Sequence, residues 1–214
     1  MDWYFDFISP FAYLQHELLL RDHPRLRRRY RPVLFAAMLK HWGGKGPAEI
    51  EVKRALTYRH CQWLAERHEI AMKFPPTHPF NPLPFLRLAL ARDCDTDCVT
   101  QIFRALYAEG ADPNDPGVFA EVCARAGLDA KSAAERINAP QIKTQLREST
   151  DAAIARGVFG VPTLALDDEN VDAQLFWGLD MTEMALECLA EPRRFRRGEY
   201  ARLAELPVAQ ARKA

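Results

Sequence analysis

Two segments far apart in the chain combine residue types that can hold an ionised sulfur. Ser9 and Pro10 stand where the apolar run at 3–8 gives way to a helical pattern. A hydroxyl and free backbone N–H groups are therefore expected at a helix N-terminus, which favours an anion such as a thiolate. Far downstream, the segment Val161-Pro162-Thr163 opens an apolar strand. A cis X-Pro turn there leaves backbone groups free for an extended peptide ligand, so the two segments together predict a thiol-binding site.

Hydrophobic periodicity predicts the elements that position these segments. The expected strands lie at 3–8, 29–36, 163–166 and 173–177, and the expected helices at 10–22, 83–92, 117–126 and 130–138, followed by a long helix that Gly157 closes. Almost all of 47–156 is helical in pattern, and Val52, Leu56, Trp63 and Ile70 fall within one narrow stripe. This order of elements predicts an α/β domain interrupted by an α domain.

Three local details complete the expected fold. Phe11, Leu14, Leu18 and Leu19 are predicted to face inward from the first helix. Asp167–Asn170 is expected to be the turn of a hairpin. Asp180–Glu183 has capping-box spacing before a last helix through Leu189, and the Arg-rich segment after Pro192 is expected to be a solvated tail.

Composition excludes several classes of partner. The 214 residues are 48% hydrophobic and carry 29 basic and 29 acidic side chains, so no long-range field attracts nucleic acid or an anionic membrane. No apolar run approaches the ~20 residues of a membrane span. The five cysteines include no C-x-x-C pair, which favours a reducing compartment, the cytoplasm. Cys94 and Cys98 without nearby histidines do not make a zinc site, so no metal is expected.

Both segments of the thiol-site hypothesis also have a plainer interpretation. Ser9-Pro10 is typical of a helix N-cap followed by proline at the first helical position. Val161-Pro162 is compatible with an ordinary loop before an edge strand. Ser9 has neither a G-x-S-x-G elbow nor Ser-His-Asp spacing around it, so acyl transfer lacks its base. Ser9 can instead donate a hydrogen bond to a sulfur anion and lower the pKa of a borrowed thiol below the free value of ~8.5.

Three stretches of sequence together resemble a known family. They are Phe5–Leu14 (FDFISPFAYL), Phe159–Thr163 (FGVPT) and Phe176–Asp180 (FWGLD). In this order they resemble 2-hydroxychromene-2-carboxylate isomerases and kappa-class glutathione transferases, over nearly the whole chain. The resemblance implies a thioredoxin-like domain interrupted by an all-helical insertion, as in DsbA-type oxidoreductases, with Ser9 where those carry their first redox cysteine. Disulfide exchange is accordingly disfavoured.

The resemblance also implies domain boundaries and a glutathione site. Residues 1–40 and 156–192 are expected to form the thioredoxin-like domain, 41–155 the helical domain and 193–214 a tail. Ser9 is expected to hold the glutathione sulfur as the catalytic residue, and Val161, fixed by Pro162, to pair its backbone with the cysteinyl part. The γ-glutamyl end is expected against Trp177, Gly178, Leu179 and Asp180. The Asp180 carboxylate would take the α-ammonium group, and capping the last helix is its competing role.

In this family the substrate side faces the loop after the second strand and the proline-rich crossing. The candidate substrate-binding residues are therefore Lys40, Trp42, Gly44, Lys45, Glu49 and His78. A lysine can pair with a substrate carboxylate, although most lysines are plain surface cations. Gly44 departs from the asparagine or glutamine common in relatives. Trp42, Trp63 and Tyr58 are either an acceptor pocket or core.

The resemblance implies a glutathione-dependent isomerase acting on a chromene-type aromatic carboxylate, by thiolate addition, bond rotation and elimination. Two alternatives stay open at this point. One is a kappa-like transferase or peroxidase using the same activated sulfur, and the other is a non-catalytic glutathione-binding domain. Relatives also imply a homodimer.

Overall fold

The computed structural model describes residues 1–168 and 171–210. Within these ranges a mixed sheet has the strand order β2-β1-β3-β4. Its strands are β1 (Asp2–Phe5), β2 (Arg29–Pro32), β3 (Thr163–Asp168) and β4 (Val171–Trp177). β1 runs parallel to β2 and antiparallel to β3, and β3 pairs antiparallel with β4. β1 and β3 are neighbours in the sheet, although all the helices from α1 to α8 lie between them in the sequence.

The helices fall into three groups along the chain. Those of the first group are α1 (Pro10–Asp22) and α2 (Phe35–Trp42). Those between the two halves of the sheet are α3 (Glu51–Arg67), α4 (Leu83–Ala91), α5 (Thr96–Tyr107), α6 (Pro116–Arg125), α7 (Ala130–Ile137) and α8 (Pro140–Ala155). Those after the sheet are α9 (Thr182–Ala190) and α10 (Glu199–Ala204), and single 3-10 turns lie at Pro47–Glu49 and Arg194–Arg196. In the described ranges, no helix combines the length and the apolar character that a bilayer crossing needs.

Aromatic side chains join the sheet to the helical insertion. Trp3 and Phe5 on β1 stack with ring centroids 4.7 Å apart, and Phe7 lies 4.6 Å from Phe103 of α5. All four rings are fully buried. Replacing such a buried ring by alanine lowers the stability of other proteins by about 3–5 kcal/mol. The contact of Phe7 with Phe103 therefore holds the insertion firmly against the segment before α1.

β1 and β2 are shorter than the periodicity predicts, whereas β3 and β4 are each two residues longer. β1 ends at Phe5 because Asp6 folds back, and its carboxylate accepts the backbone N–H groups of Ile8 and Phe35. β2 ends at Pro32, although the Val33 N–H still donates to Phe5 O at 2.9 Å, and Phe35 then begins α2. The expected strand at 29–36 was therefore wrong in its second half.

Several exposed faces also differ from the sequence expectations. The α3 stripe forms a helix as predicted, but Val52 and Leu56 are 82% and 67% exposed and Trp63 is half exposed. Phe11 and Leu18 of α1 line a cleft, whereas Leu14 and Leu19 are buried. The residues after Pro192 are largely exposed, as expected, but include α10. Of the predicted hairpin turn, Asp167 and Asp168 belong to β3, and Glu169 and Asn170 lie outside the described residues.

Asp2 links three parts of the fold through arginines. Its carboxylate, 3% exposed, lies 2.8 Å from Arg29 Nε, 2.9 Å from Arg31 Nε and 2.7 Å from Arg156 Nη1. Burial alone would raise the pKa of Asp2, but the hydrogen bonds from the arginines outweigh it and leave the pKa below its ordinary value. The charge of Asp2 thus connects β1, β2 and the end of α8.

We expect Asp2→Asn to lower the free energy of unfolding by about 2 kcal/mol at neutral pH, because it leaves the arginines without their shared charge. The folded-state pKa of Asp2 is lowered, so its contribution is complete above the unfolded value of ~3.9 and is lost as the pH falls through the folded value. Urea unfolding of both proteins across this pH range measures the difference. Asp22→Asn, which breaks an exposed pair with Arg21, is the control. Equal losses in the two variants, or a difference independent of pH, would contradict this role.

Candidate active site

A large cleft of about 1220 Å³ runs along α1 and is bounded by α2, α3 and α9. With the exception of Trp42, every site residue expected from the sequence lines it: Ser9, Lys40, Gly44, Lys45, Glu49, His78, Val161, Pro162, Trp177, Gly178, Leu179 and Asp180. These residues come from both halves of the sheet and from the insertion. The fold therefore gathers in one place the residues that the sequence distributes over 172 positions, from Ser9 to Asp180.

Ser9 caps α1, and its hydroxyl proton has no strong acceptor among the described residues. It is the N-cap of α1, where its Oγ accepts the Ala12 N–H at 3.2 Å, as the plainer interpretation predicts. The hydroxyl also points at the carbonyl oxygen of Val161, but at 3.4 Å, beyond the 2.5–3.0 Å of an ordinary O–H···O bond. Among the described residues, no atom accepts the neighbouring Phe11 N–H. A hydroxyl proton and a helix N–H are thus available at the positive end of α1.

The turn opposite Ser9 contains a cis peptide bond between Val161 and Pro162. The turn is fixed on both sides, because Pro162 O accepts the Gly178 N–H at 2.9 Å and Gly160 O accepts the Thr163 hydroxyl at 2.7 Å. The Val161 N–H has no partner in the part of the chain that the structure describes. An extended ligand can therefore pair with the backbone of Val161, as predicted for this turn.

The end of β4 packs closely against this turn. A Cβ placed on Gly160 would lie 2.3 Å from Nε1 of Trp177, so only glycine allows the indole to cover the turn. Gly178 has φ +96°, and a Cβ there would lie 2.5 Å from Oδ1 of Asp180. The two glycines therefore leave room for the indole and the carboxylate at one end of the cleft.

Asp180 does not cap the last helix. α9 begins at Thr182 after Met181, with no side-chain cap, and the Thr182 hydroxyl donates to Leu179 O at 2.6 Å. Asp180 is exposed and makes no hydrogen bond or ion pair with the described residues. The capping interpretation was wrong because Met181, one residue after Asp180, occupies the N-cap position of α9. The carboxylate remains available to a cation in the cleft.

Gln15 is a positioning residue that the sequence reasoning missed. It is fully buried on α1, accepts the Trp3 indole N–H at 2.6 Å, and donates to Gly178 O at 3.1 Å and to the Thr182 hydroxyl at 2.8 Å. The amide thereby attaches the segment at 177–180 to the helix that begins at Ser9. A polar residue between inward-facing leucines was the signal that could have identified it.

The substrate side expected from the sequence is exposed and cationic. Lys40, at the end of α2, and Lys45, in the following loop, are exposed and have no ion-pair partner among residues 1–168 and 171–210. Glu49 is committed to the loop, because its carboxylate accepts the Gly46 N–H at 2.5 Å. Gly44 is exposed and leaves space in the wall of the cleft.

The aromatic acceptor pocket suggested by the sequence is not assembled. Trp42 lies outside the cleft, where its indole N–H donates to Val158 O at 3.1 Å. Trp63 borders an adjoining groove of about 570 Å³, which shares Phe11 with the cleft. Tyr58 instead meets His78, whose Nδ1 lies 2.7 Å from the tyrosine hydroxyl. The three aromatic side chains therefore lie at different places and do not form one pocket.

The chain's own thiols are unsuited to act in the cleft. Burial raises the pKa of Cys61, Cys94 and Cys98 to about 12 and that of Cys123 to about 11, and it also raises the pKa of Cys188. All five are free, and none is among the described residues that line the cleft. An ionised sulfur beside Ser9 must therefore come from a bound molecule.

Comparison with known proteins agrees with this geometry. Residues 1–190 match the family model of the DSBA-like thioredoxin domain, which confirms the thioredoxin-like fold with its helical insertion. The 2-hydroxychromene-2-carboxylate isomerase of Sphingobium xenophagum is 31% identical over 84% of this chain and 92% of its own. Human glutathione S-transferase kappa 1 is 24% identical over 89% of this chain and 91% of its own.

A solved 2-hydroxychromene-2-carboxylate isomerase has the same architecture. The two structures superpose with a TM-score of 0.76 at 28% identity, covering 94% of this chain and 98% of the isomerase. The chain therefore belongs to the DSBA-like thioredoxin domain family and, within it, to the family of 2-hydroxychromene-2-carboxylate isomerases.

Proposed function

We propose that this chain is a glutathione-dependent isomerase of the 2-hydroxychromene-2-carboxylate type. The observation that carries the proposal is the position of Ser9, whose hydroxyl lies 3.4 Å from Val161 O, at a turn where the Val161 N–H has no partner among the described residues. No cysteine of the described chain lines the cleft, so a bound molecule must supply the sulfur nucleophile. The relatives named as isomerases supply the reaction type.

The groups along the cleft fit glutathione in one orientation. The sulfur lies at the N-terminus of α1, where the Ser9 hydroxyl and the Phe11 N–H donate to it and the helix dipole favours its charge. The cysteinyl backbone pairs with Val161. The α-ammonium group meets the Asp180 carboxylate, which has no partner in the described chain. These protein groups are polar and have hydrogen-bonding capacity left over in the described chain, which supports a peptide ligand over a purely apolar one.

Bound glutathione supplies a nucleophilic sulfur that adds reversibly to the conjugated double bond of the substrate, so that the bond can rotate before the sulfur leaves. Ser9 keeps the sulfur in its anionic form by donating a hydrogen bond to it. Lys40 and Lys45 are the cations available to a substrate carboxylate at the opposite wall. The apolar side chains of the cleft, among them Phe35 and Leu39, exclude water from an aromatic substrate.

The kappa-class relatives favour a second activity at the same sulfur. Human glutathione S-transferase kappa 1 matches nearly the whole chain, and the open wall at Gly44 can admit electrophiles of another shape. Conjugation or peroxide reduction needs the same contacts to Ser9, Val161 and Asp180. Turnover of a chlorodinitrobenzene-type electrophile without isomerisation of the chromene carboxylate would favour this alternative.

Two further features belong to the proposal. Five free cysteines suit a reducing compartment, so we place the protein in the cytoplasm. We also expect a homodimer, and the exposed apolar stripe of Val52, Leu56 and Trp63 on α3 is a surface that a second copy can cover. Sedimentation of the wild type and of Leu56→Glu determines the oligomeric state and whether this stripe contributes.

Ser9→Ala removes the hydroxyl, and we expect kcat for the isomerisation to fall by about 100-fold, the usual effect of losing one donor to a developing anion. The spectrum of the chromene carboxylate, followed with and without glutathione, measures it. The variant also loses its N-cap bond, which costs about 1 kcal/mol of stability. Asp129→Ala, which removes the side-chain cap of α7 away from the cleft, is the matched control. Isomerisation unchanged in Ser9→Ala, or independent of glutathione in the wild type, would refute the proposal.

Asp180→Asn removes the charge assigned to the α-ammonium group. We expect the Kd for glutathione to rise by about 10-fold, the usual contribution of a charge-assisted hydrogen bond. Calorimetry with glutathione and with its desamino analogue separates this contact from others, because the analogue should bind the wild type and the variant equally. Glu183→Gln, three residues after Asp180 in the first turn of α9 and also in the cleft, is the control. Equal weakening of both ligands would remove Asp180 from this role.

A further inference from the structure

The peptide group that joins Ile8 to Ser9 is held by hydrogen bonds on both sides. Its carbonyl oxygen, that of Ile8, lies 2.7 Å from Nε2 of His78. Its N–H, that of Ser9, donates to Asp6 O at 3.0 Å. The preceding N–H of Ile8 donates to Asp6 Oδ1 at 3.1 Å. We call these contacts, made by Asp6, His78 and Tyr58 around Ile8, the Ile8 clamp.

The tautomer of His78 follows from its partners. A carbonyl oxygen only accepts, so Nε2 carries a proton and donates it to Ile8 O. Burial lowers the pKa of His78, against an opposing effect of the bond to Ile8, and the ring is neutral at physiological pH. Nδ1 is then an acceptor, and the Tyr58 hydroxyl, 2.7 Å away, donates to it. The same hydroxyl lies 2.9 Å from His78 O, and its single proton is shared between this carbonyl oxygen and Nδ1.

His78 consequently has no ring nitrogen left for a substrate. It lines the cleft, but both nitrogens are engaged with protein atoms, and its ring packs against Phe74, Phe80 and Tyr107. The sequence placed His78 among the substrate-binding residues. The hydrogen bonds favour a different role, because they end on the residue immediately before Ser9.

We propose that His78, oriented by Tyr58, is a positioning residue for the thiol site, and that it acts by fixing the Ile8–Ser9 peptide so that the Ser9 hydroxyl faces Val161. The proposal rests on the glutathione site proposed above and adds a residue of the helical insertion to it. Ser9 Oγ lies only three bonds from the clamped peptide nitrogen. A shift of this peptide therefore moves the hydroxyl directly, and the strength of a hydrogen bond falls steeply with misplacement.

The clamp also connects the helical insertion to the segment that carries Ser9. Tyr58 lies on α3 and His78 in the loop before α4, whereas Asp6 and Ile8 follow β1. The clamp thus joins the insertion to the thioredoxin-like part at the residue next to the reacting centre. Asp6 also links the clamp to the start of α2, because Asp6 Oδ2 accepts the Phe35 N–H at 2.9 Å.

Two readouts test the proposal with the full chain. The first is the pKa of the sulfur of bound glutathione, followed by the ultraviolet absorbance of the thiolate. The second is amide hydrogen exchange in the segment at 3–14 of the ligand-free protein. We expect His78→Leu to raise the sulfur pKa by about one unit, the equivalent of one displaced hydrogen bond, and to speed exchange at Ile8 and Ser9. His78→Gln, whose amide can still donate to Ile8 O, should stay near the wild type.

Tyr58→Phe should change both readouts in the same direction by a smaller amount, because the ring loses its orienting partner but keeps its donor. His41→Leu, an exposed histidine on α2, is the control and should change neither readout. If His78→Leu does not fold, His78→Gln and Tyr58→Phe still provide the comparison.

The proposal is overturned if the sulfur pKa and the exchange rates in the His78 and Tyr58 variants equal those of the wild type. A rise in KM for the aromatic carboxylate alone would likewise overturn it, because it would assign His78 to the substrate. If the wild type itself leaves the sulfur pKa at its free value, the glutathione site fails. Faster exchange in His78→Leu would then still establish the clamp as a structural contact, and unchanged exchange would exclude it.

Discussion

The site depends on one constraint, the placement of the Ser9 hydroxyl at the N-terminus of α1 opposite the backbone of Val161. The constraint is met by groups from three parts of the chain. β1 delivers Ser9 to the end of the sheet, the pairing of β1 with β3 brings Val161 to the same end, and Gln15 attaches the segment at 177–180 to α1. Because each contact joins distant residues, the hydroxyl acquires its partner only in the folded chain.

Much of this arrangement could be predicted because it depends on local chemistry. A serine before proline at the end of an apolar run specifies an N-cap, and Ser9 is one. The change from helical to alternating periodicity after Gly157 specified the hairpin. The FGVPT and FWGLD segments carry the family resemblance in a few residues each, and the structure brings both to the cleft that contains Ser9.

The remaining features could not be predicted from local sequence, because they depend on which elements pack against each other in the folded chain. The stripe of Val52, Leu56 and Trp63 has the periodicity of a buried face, yet no described element covers it. The spacing at Asp180 fits a capping box, but α9 begins one residue later than this spacing requires, with Met181 as its N-cap. His78 lies in the cleft, but its hydrogen bonds to Ile8 and Tyr58 span 70 and 20 positions and leave no trace in local sequence.

The central claim is that the Ser9 hydroxyl holds the sulfur of glutathione, and a crystal structure of the complex tests it most directly. The account predicts the ligand sulfur within hydrogen-bonding distance of Ser9 Oγ, the cysteinyl backbone paired with Val161, and the α-ammonium group at Asp180. A sulfur bound elsewhere in the cleft, with the Ser9 hydroxyl still directed at Val161 O, would contradict it.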